Sequence, residues 1–139
     1  MFKKILLPVD LSDKHDQAIE SATALASQSR GDVVLLHVID TIAGLSMDEE
    51  KAFYTRLQKA AEKHLAKLAG KVKSRKVPCY VDVLFGHRAP EVVRYANKIG
   101  ADLIVLTAPR LDPDNPAVGW GSLSYKISIL SGSPVLLVK

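Results

Sequence analysis

Short runs rich in Val, Ile and Leu alternate along this chain with longer stretches of helical periodicity, and that alternation is the pattern of βαβ units building a parallel sheet. The strand runs read Lys3 to Val9, Val33 to Ile39, Cys79 to Phe85, Leu103 to Thr107 and Val135 to Val138. They are predominantly apolar, as expected of strands buried on both faces. Between the first two, Ser12 is placed to cap a helix whose stripe Ala18, Ile19, Ala22, Leu25 and Ala26 ends near Arg30 and Gly31. Ser46-Met47-Asp48-Glu49 has capping-box spacing, in which hydroxyl and carboxylate each satisfy an orphan amide. Phe53, Leu57, Ala61, Leu65, Leu68 and Val72 then form the buried face of a second helix. Pro90 suits the opening turn of a third helix, closed by Gly100, with Val92, Val93, Ala96 and Ile99 inward. A fourth runs from about Ser122 to Leu130, before the turn Ser131-Gly132-Ser133-Pro134. The element order is β-α-β-α-β-α-β-α-β.

A chain of 139 residues, 47% of them apolar, buries one substantial core and is too short for two ordinary domains, so residues 1–139 are expected to form one domain. Its apolar runs fall far short of the roughly 20 residues that a membrane helix needs. The basic and apolar start, from Met1 to Asp10, resembles a signal segment until Pro8 and Asp10 interrupt it; it reads as a first strand. A lone cysteine, Cys79, favours a reducing compartment, so the cytoplasm is expected. The formal charge of +4 comes largely from Lys51 to Lys76, which holds nine Lys or Arg residues against one acid, Glu62. Their helical spacing, as in Lys59, Lys63 and Lys67, fits a solvated helix face better than a nucleic-acid surface.

In doubly wound sheets, ligands sit beyond the C-terminal strand ends where strand order reverses. That confines a site to Pro8 to Ser12, Val38 to Thr41, Phe85 to Pro90, Thr107 to Gly121, and the helix start from Gly121 to Ser124. Asp10 stands directly after a buried strand, where its carboxylate either accepts bonds from ligand hydroxyl or amino groups or helps Ser12 to cap the first helix. Gly119-Trp120-Gly121-Ser122-Leu123-Ser124-Tyr125 leads a loop into a helix. Free N–H groups and hydroxyls at such a start suit an anion, although Gly and Ser also serve as ordinary turn residues. The segment is neither a P-loop nor a Rossmann fingerprint.

Pro8-Val9-Asp10-x-Ser12, His37-Val38-Ile39-Asp40, Gly86 before the third helix, Ala101-Asp102-Leu103-Ile104-Val105, Gly121-Ser122-x-Ser124 and Pro134-Val135-Leu136-Leu137-Val138 occur in an order that resembles the universal stress protein family over essentially the whole chain. The resemblance implies a three-layer α/β/α sandwich with a five-stranded parallel sheet of order 3-2-1-4-5, of the adenine nucleotide alpha hydrolase-like kind. It also implies a homodimer joined through the last strand, Val135 to Val138. In the nucleotide-binding branch, Asp10 and Val38 match positions that hold adenine and ribose, and Gly121, Ser122 and Ser124 match those around the phosphates. Pro8, Val9, Ala108, Arg110 and Leu123 are expected among the nucleotide-binding residues with them. ATP or AMP, with Mg²⁺ as a companion, is the ligand so implied. That branch carries Gly-x-x-Gly ahead of the Gly-Ser/Thr pair, and here neither Thr107 and Arg110 nor Ala108 and Leu111 supplies the glycines. Cβ atoms then stand where backbone would approach the phosphates, and Pro109 offers no N–H. Arg110 is placed to compensate through its guanidinium fork, and Asp112-Pro113-Asp114-Asn115-Pro116 to act as a lid.

The remaining chemical residues point elsewhere. His37 reads as a buried strand end, and His87-Arg88 as a loop bordering the site. His15 and His64 fall on separate helices without metal-ligand spacing, and Cys79 has no nearby His or Cys to activate it. No Ser-His-Asp order or acid pair argues for catalysis. The expected function is a stress-response, nucleotide-binding regulatory module with little or no turnover. Its rivals are a branch that acts through protein interactions without a nucleotide, and a slow ATP hydrolase using Asp10 or Asp112.

Overall fold

A computed structural model describes residues 1–42, 44, 46, 48–115 and 122–139. In chain order the elements are β1 (Lys4–Pro8), α1 (Asp16–Ser29), β2 (Asp32–Asp40), α2 (Lys51–Lys73), β3 (Cys79–Gly86), α3 (Arg88–Ile99), β4 (Leu103–Thr107), α4 (Leu123–Leu130) and β5 (Val135–Val138). All strand pairs are parallel, in the order β3-β2-β1-β4-β5, with Ile5 beside Val33 on one side and Leu103 on the other. Alternating side chains divide the core into two. Ile5, Leu7, Val33, Leu35 and Val105 meet Ala18, Ala22, Leu65 and Val72 of α1 and α2. Leu6, Val34, Leu36, Ile104 and Leu106 meet Val92 and Ala96 of α3 and Ile127 of α4. Both faces of the three central strands are thus covered, which is why they read as predominantly apolar runs.

The two edge strands depart from that reading. In β5, Leu136 and Leu137 are 38% and 39% exposed, and in β3 Tyr80 and Val81 are exposed, because an edge strand is covered less completely than its composition suggests. Two further expectations are corrected, on Ser12 and on Phe53. Ser12 does not cap α1, which begins four residues later, at Asp16, after His15; Ser12 bonds to Asp10 instead. The third helix opens at Arg88 with Pro90 in its first turn, as expected. Tyr54, buried edge-on against Phe85, takes the core position expected of Phe53, while Phe53 and Leu57 are half-buried. The Ser46 hydroxyl does accept the Glu49 amide (3.0 Å), in a turn that precedes α2.

Gly100 closes α3 in the left-handed conformation (φ 69°), where a side chain is costly. Gly31 is needed for space: a Cβ there would lie 2.6–2.8 Å from the Lys3 backbone. It lets the end of α1 pass the start of β1, so that β1 and β2 pair in register. The strand order reverses between β1 and β4, and their C-terminal ends open a crevice there.

Candidate functional site

The crevice is a cleft of about 450 Å³, within the range of roughly 300–1,000 Å³ typical of small-molecule sites. Leu36, Val38, Val92 and Leu106, all from the α3/α4 core, give it an apolar lining. Pro8, Val9 and Asp10 enter from the end of β1, Thr107, Ala108 and Pro109 from the end of β4, and Ser122, Leu123 and Ser124 from the start of α4. Lys14, His15, His37 and Arg88 complete the ionisable groups along it. Residues more than a hundred positions apart therefore meet because parallel crossovers return every strand end to one edge.

Asp10 is the centre of the polar network. Its Oδ1 accepts the Ser12 amide (2.9 Å), the Ser12 hydroxyl (2.5 Å) and the ring of His15 (Nε2, 2.7 Å), while Oδ2 lies 3.6 Å from Lys14 Nζ. Partial burial pushes this carboxyl upward. The bonds from Ser12 and His15, with the positive charge that His15 carries when protonated, outweigh burial and hold it well below the usual carboxylate range. The second ring nitrogen of His15, Nδ1, lies 2.8 Å from Thr107 Oγ1, so this histidine, only 5% exposed, bridges the ends of β1 and β4.

Sequence reasoning placed His15 on a helix and missed this bridge. The signal was present as an offset: a start of α1 at Asp16 puts His15 in the loop that carries Asp10. Thr107 fell inside an expected segment but was considered only as a missing glycine.

The other expected residues divide. Ser122 caps α4, its hydroxyl accepting the Tyr125 amide (3.2 Å), and Ser124 is buried with its hydroxyl 3.4 Å from the Thr107 carbonyl. The Ala108 amide is engaged by the Val138 carbonyl (2.8 Å) and Pro109 has no N–H, so that part of the loop has no backbone donor to offer an anion. Arg110 is exposed and not among the cleft-lining residues. Arg88 does line the cleft, and its Nε meets Asp40 Oδ2 at 3.1 Å. Gly119, Trp120 and Gly121 lie outside the described residues, as does Pro116 of the expected lid. The lid's preceding residues form an exposed turn in which the Asp114 and Asn115 amides bond back to Asp112.

His37 is buried and its Nδ1 donates to the Val9 carbonyl (2.8 Å), fixing the β1 exit. Burial pushes the Cys79 thiol up to about 11, the behaviour of an inert thiol. Among the described residues no three His, Cys, Asp or Glu side chains gather as a metal-holding group, and no helix is long and apolar enough to cross a membrane.

Comparison with known proteins gives a consistent result. The model of the universal stress protein family matches residues 1–139. Universal stress protein G of Escherichia coli O157:H7 is 30% identical over 148 aligned positions, covering all of both chains. The solved structure of MJ0577 from Methanocaldococcus jannaschii, a universal stress protein, superposes with a TM-score of 0.83 at 26% identity, covering 100% of this chain and 96% of that one. A universal stress protein from Archaeoglobus fulgidus, solved in complex with dAMP, shares the fold at 17% identity, with a TM-score of 0.74 and full coverage of both chains.

Proposed function

The chain belongs to the universal stress protein family, and from that premise we propose that it is a cytoplasmic, dimeric regulatory module that binds an adenine nucleotide and turns it over slowly or not at all. The observation that carries the reading is the cleft itself, in which Asp10, Val38, Ser122 and Ser124 converge on one space of suitable size. Val38 and its apolar neighbours suit the flat face of a base. The Asp10 carboxylate offers acceptors for amino or hydroxyl groups. The start of α4 presents orphan amides to a phosphate. A protein of the same fold is known in complex with dAMP. Mg²⁺ enters this reading only as a companion of the ligand's phosphates.

A second reading has its own support. With the Ala108 amide engaged and Pro109 lacking one, the loop after β4 is a poor phosphate cradle. A family member of this kind works through protein contacts without a nucleotide. Calorimetric titration of nucleotide-stripped protein with ATP, ADP and AMP, with and without Mg²⁺, separates the two. Micromolar binding that weakens at least about tenfold in Asp10→Ala, the loss of a hydrogen bond to a charged group, supports the first reading. Absence of binding by the wild-type protein moves the chain to the second.

The dimer is proposed to form along β5. Among the described residues this strand pairs only with β4, and it leaves Leu136 and Leu137 exposed, beside Ile129 and Leu130 of α4, which are also exposed.

A further inference from the structure

We infer that His15 is the positioning residue of this cleft: it ties the Asp10 carboxylate to the Thr107 hydroxyl across the β1–β4 opening and, by its own protonation, sets which hydrogen-bonding groups Thr107 offers a ligand. For its ligand the inference rests on the nucleotide-binding reading above; the state of the ring does not depend on that reading.

His15 Nε2 lies 2.7 Å from Asp10 Oδ1, and Nδ1 lies 2.8 Å from Thr107 Oγ1. With the ring 5% exposed, water competes little for either nitrogen. At neutral pH Asp10 is an anion, because its carboxyl sits well below the usual carboxylate range. An ionised carboxylate oxygen only accepts, so Nε2 must carry a proton; two lone pairs 2.7 Å apart would repel. The Asp10 amide also points at Nε2, from 3.2 Å, but the shorter, charge-assisted contact decides the tautomer.

In the neutral ring Nδ1 is therefore bare and accepts the Thr107 hydroxyl proton, which leaves the Thr107 lone pairs for ligand donors. In the protonated ring Nδ1–H donates to Thr107 Oγ1. The hydroxyl proton then turns outward and the imidazolium offsets the charge of Asp10. Protonation of the ring thus replaces an acceptor-rich pair by one with a free O–H and no net charge. The first form suits sugar hydroxyls, the second an anion. The charged and titratable groups around the ring are Asp10 and Lys14 of its own loop, Asp16 at the start of α1, ion-paired with Lys71 of α2 (2.8 Å), and His37 and Arg88 along the cleft.

Long-range ¹H–¹⁵N spectra of the full-length protein without ligand, assigned with a His15→Gln variant, read the ring directly. At the alkaline end of the titration, once the ring signals stop moving and the ring is neutral, a protonated Nε2 and a bare Nδ1 are expected; the opposite tautomer overturns the inference. The ligand half is read with adenosine, whose base and sugar do not titrate near neutral pH. The wild-type protein should bind adenosine about fivefold more weakly with the His15 ring protonated than with it neutral, as read from the same spectra, the effect of about one net hydrogen bond. Thr107→Val, which keeps the shape and loses the hydroxyl, should weaken binding about fivefold with the ring neutral and show a smaller pH dependence. An equal pH dependence in the two proteins overturns the role of the hydroxyl, as does AMP binding without adenosine binding. If adenosine, AMP and ATP all fail to bind in either state of the ring, the function proposed above fails and takes the ligand half with it, while the ring spectrum still decides the tautomer.

Discussion

Three donors converge on Asp10 Oδ1, and the carboxylate is ionised because those donors together outweigh its partial burial. A carboxyl whose pKa is lower in the folded protein than in the unfolded chain adds stability above the unfolded value. That stability is lost as pH falls through the folded value. The side chain is 40% exposed, so solvent screening discounts its contribution to about 1 kcal/mol. Asp10→Asn is accordingly expected to unfold in urea about 1 kcal/mol more easily at pH 7, with the gap closing below about pH 4, where the reference carboxylate protonates. An equal gap at pH 7 and pH 3 would contradict the charge assignment. At Gly31 the constraint is steric. A Cβ 2.6–2.8 Å from the Lys3 backbone meets atoms that cannot swing aside, so Gly31→Ala is expected to cost about 1–3 kcal/mol, read as a lowered urea midpoint with unchanged slope. A cost below a few tenths of a kcal/mol would mean that the α1–β2 junction yields freely.

Among the elements, α4 depends most on its boundary. It has eight residues, too few to be stable alone, and Ser122 supplies its capping hydroxyl while sitting at the mouth of the cleft. Ser122→Ala should therefore destabilise the protein by about 1 kcal/mol with no ligand present, measured by thermal or urea unfolding. Unchanged stability would free Ser122 from its capping role. The sequence reached these elements unevenly, for physical reasons. β4 and β5 were legible to the residue, since a run of Val, Ile and Leu ended by Thr107-Ala108-Pro109, or opened by Pro134, leaves little choice of boundary. Composition cannot say whether such a run is central or at an edge, and the exposure of Leu136 and Leu137 went unread. The start of α1 was misplaced because Ser12 has two outlets for its hydroxyl, a helix cap or the Asp10 carboxylate. The shorter, charge-assisted bond prevails. That shift of three residues in the cap, from Ser12 to His15, hid the tie between His15 and Thr107, which depends on tertiary contact between chain segments 92 residues apart.

At the scale of the whole molecule, the sheet ends in two unlike edges. The β3 edge carries Tyr80, whose ring lies 5.6 Å from the Lys4 ammonium, and polar Asp82 in its interior, which blunt it against pairing. The β5 edge is Val-Leu-Leu-Val without a charge, next to the exposed Ile129 and Leu130 of α4. An apolar edge strand flanked by apolar helix surface is the kind of edge that a second copy can cover, by pairing backbone and burying side chains together. The proposed dimer therefore predicts that wild-type protein sediments at twice the monomer mass of 15.1 kDa. Two lysines at Leu136 and Leu137 would face their counterparts across the two-fold axis in a protein that already carries a formal charge of +4. The doubly substituted chain is expected to sediment as a monomer with an unchanged far-ultraviolet circular dichroism spectrum, because both side chains are already more than a third exposed and contribute little to the monomer's core. A wild-type monomer at tens of micromolar would remove the β5 dimer. A variant that stays dimeric would move the interface elsewhere, with the exposed Tyr80 and Val81 on the β3 edge next to be tested.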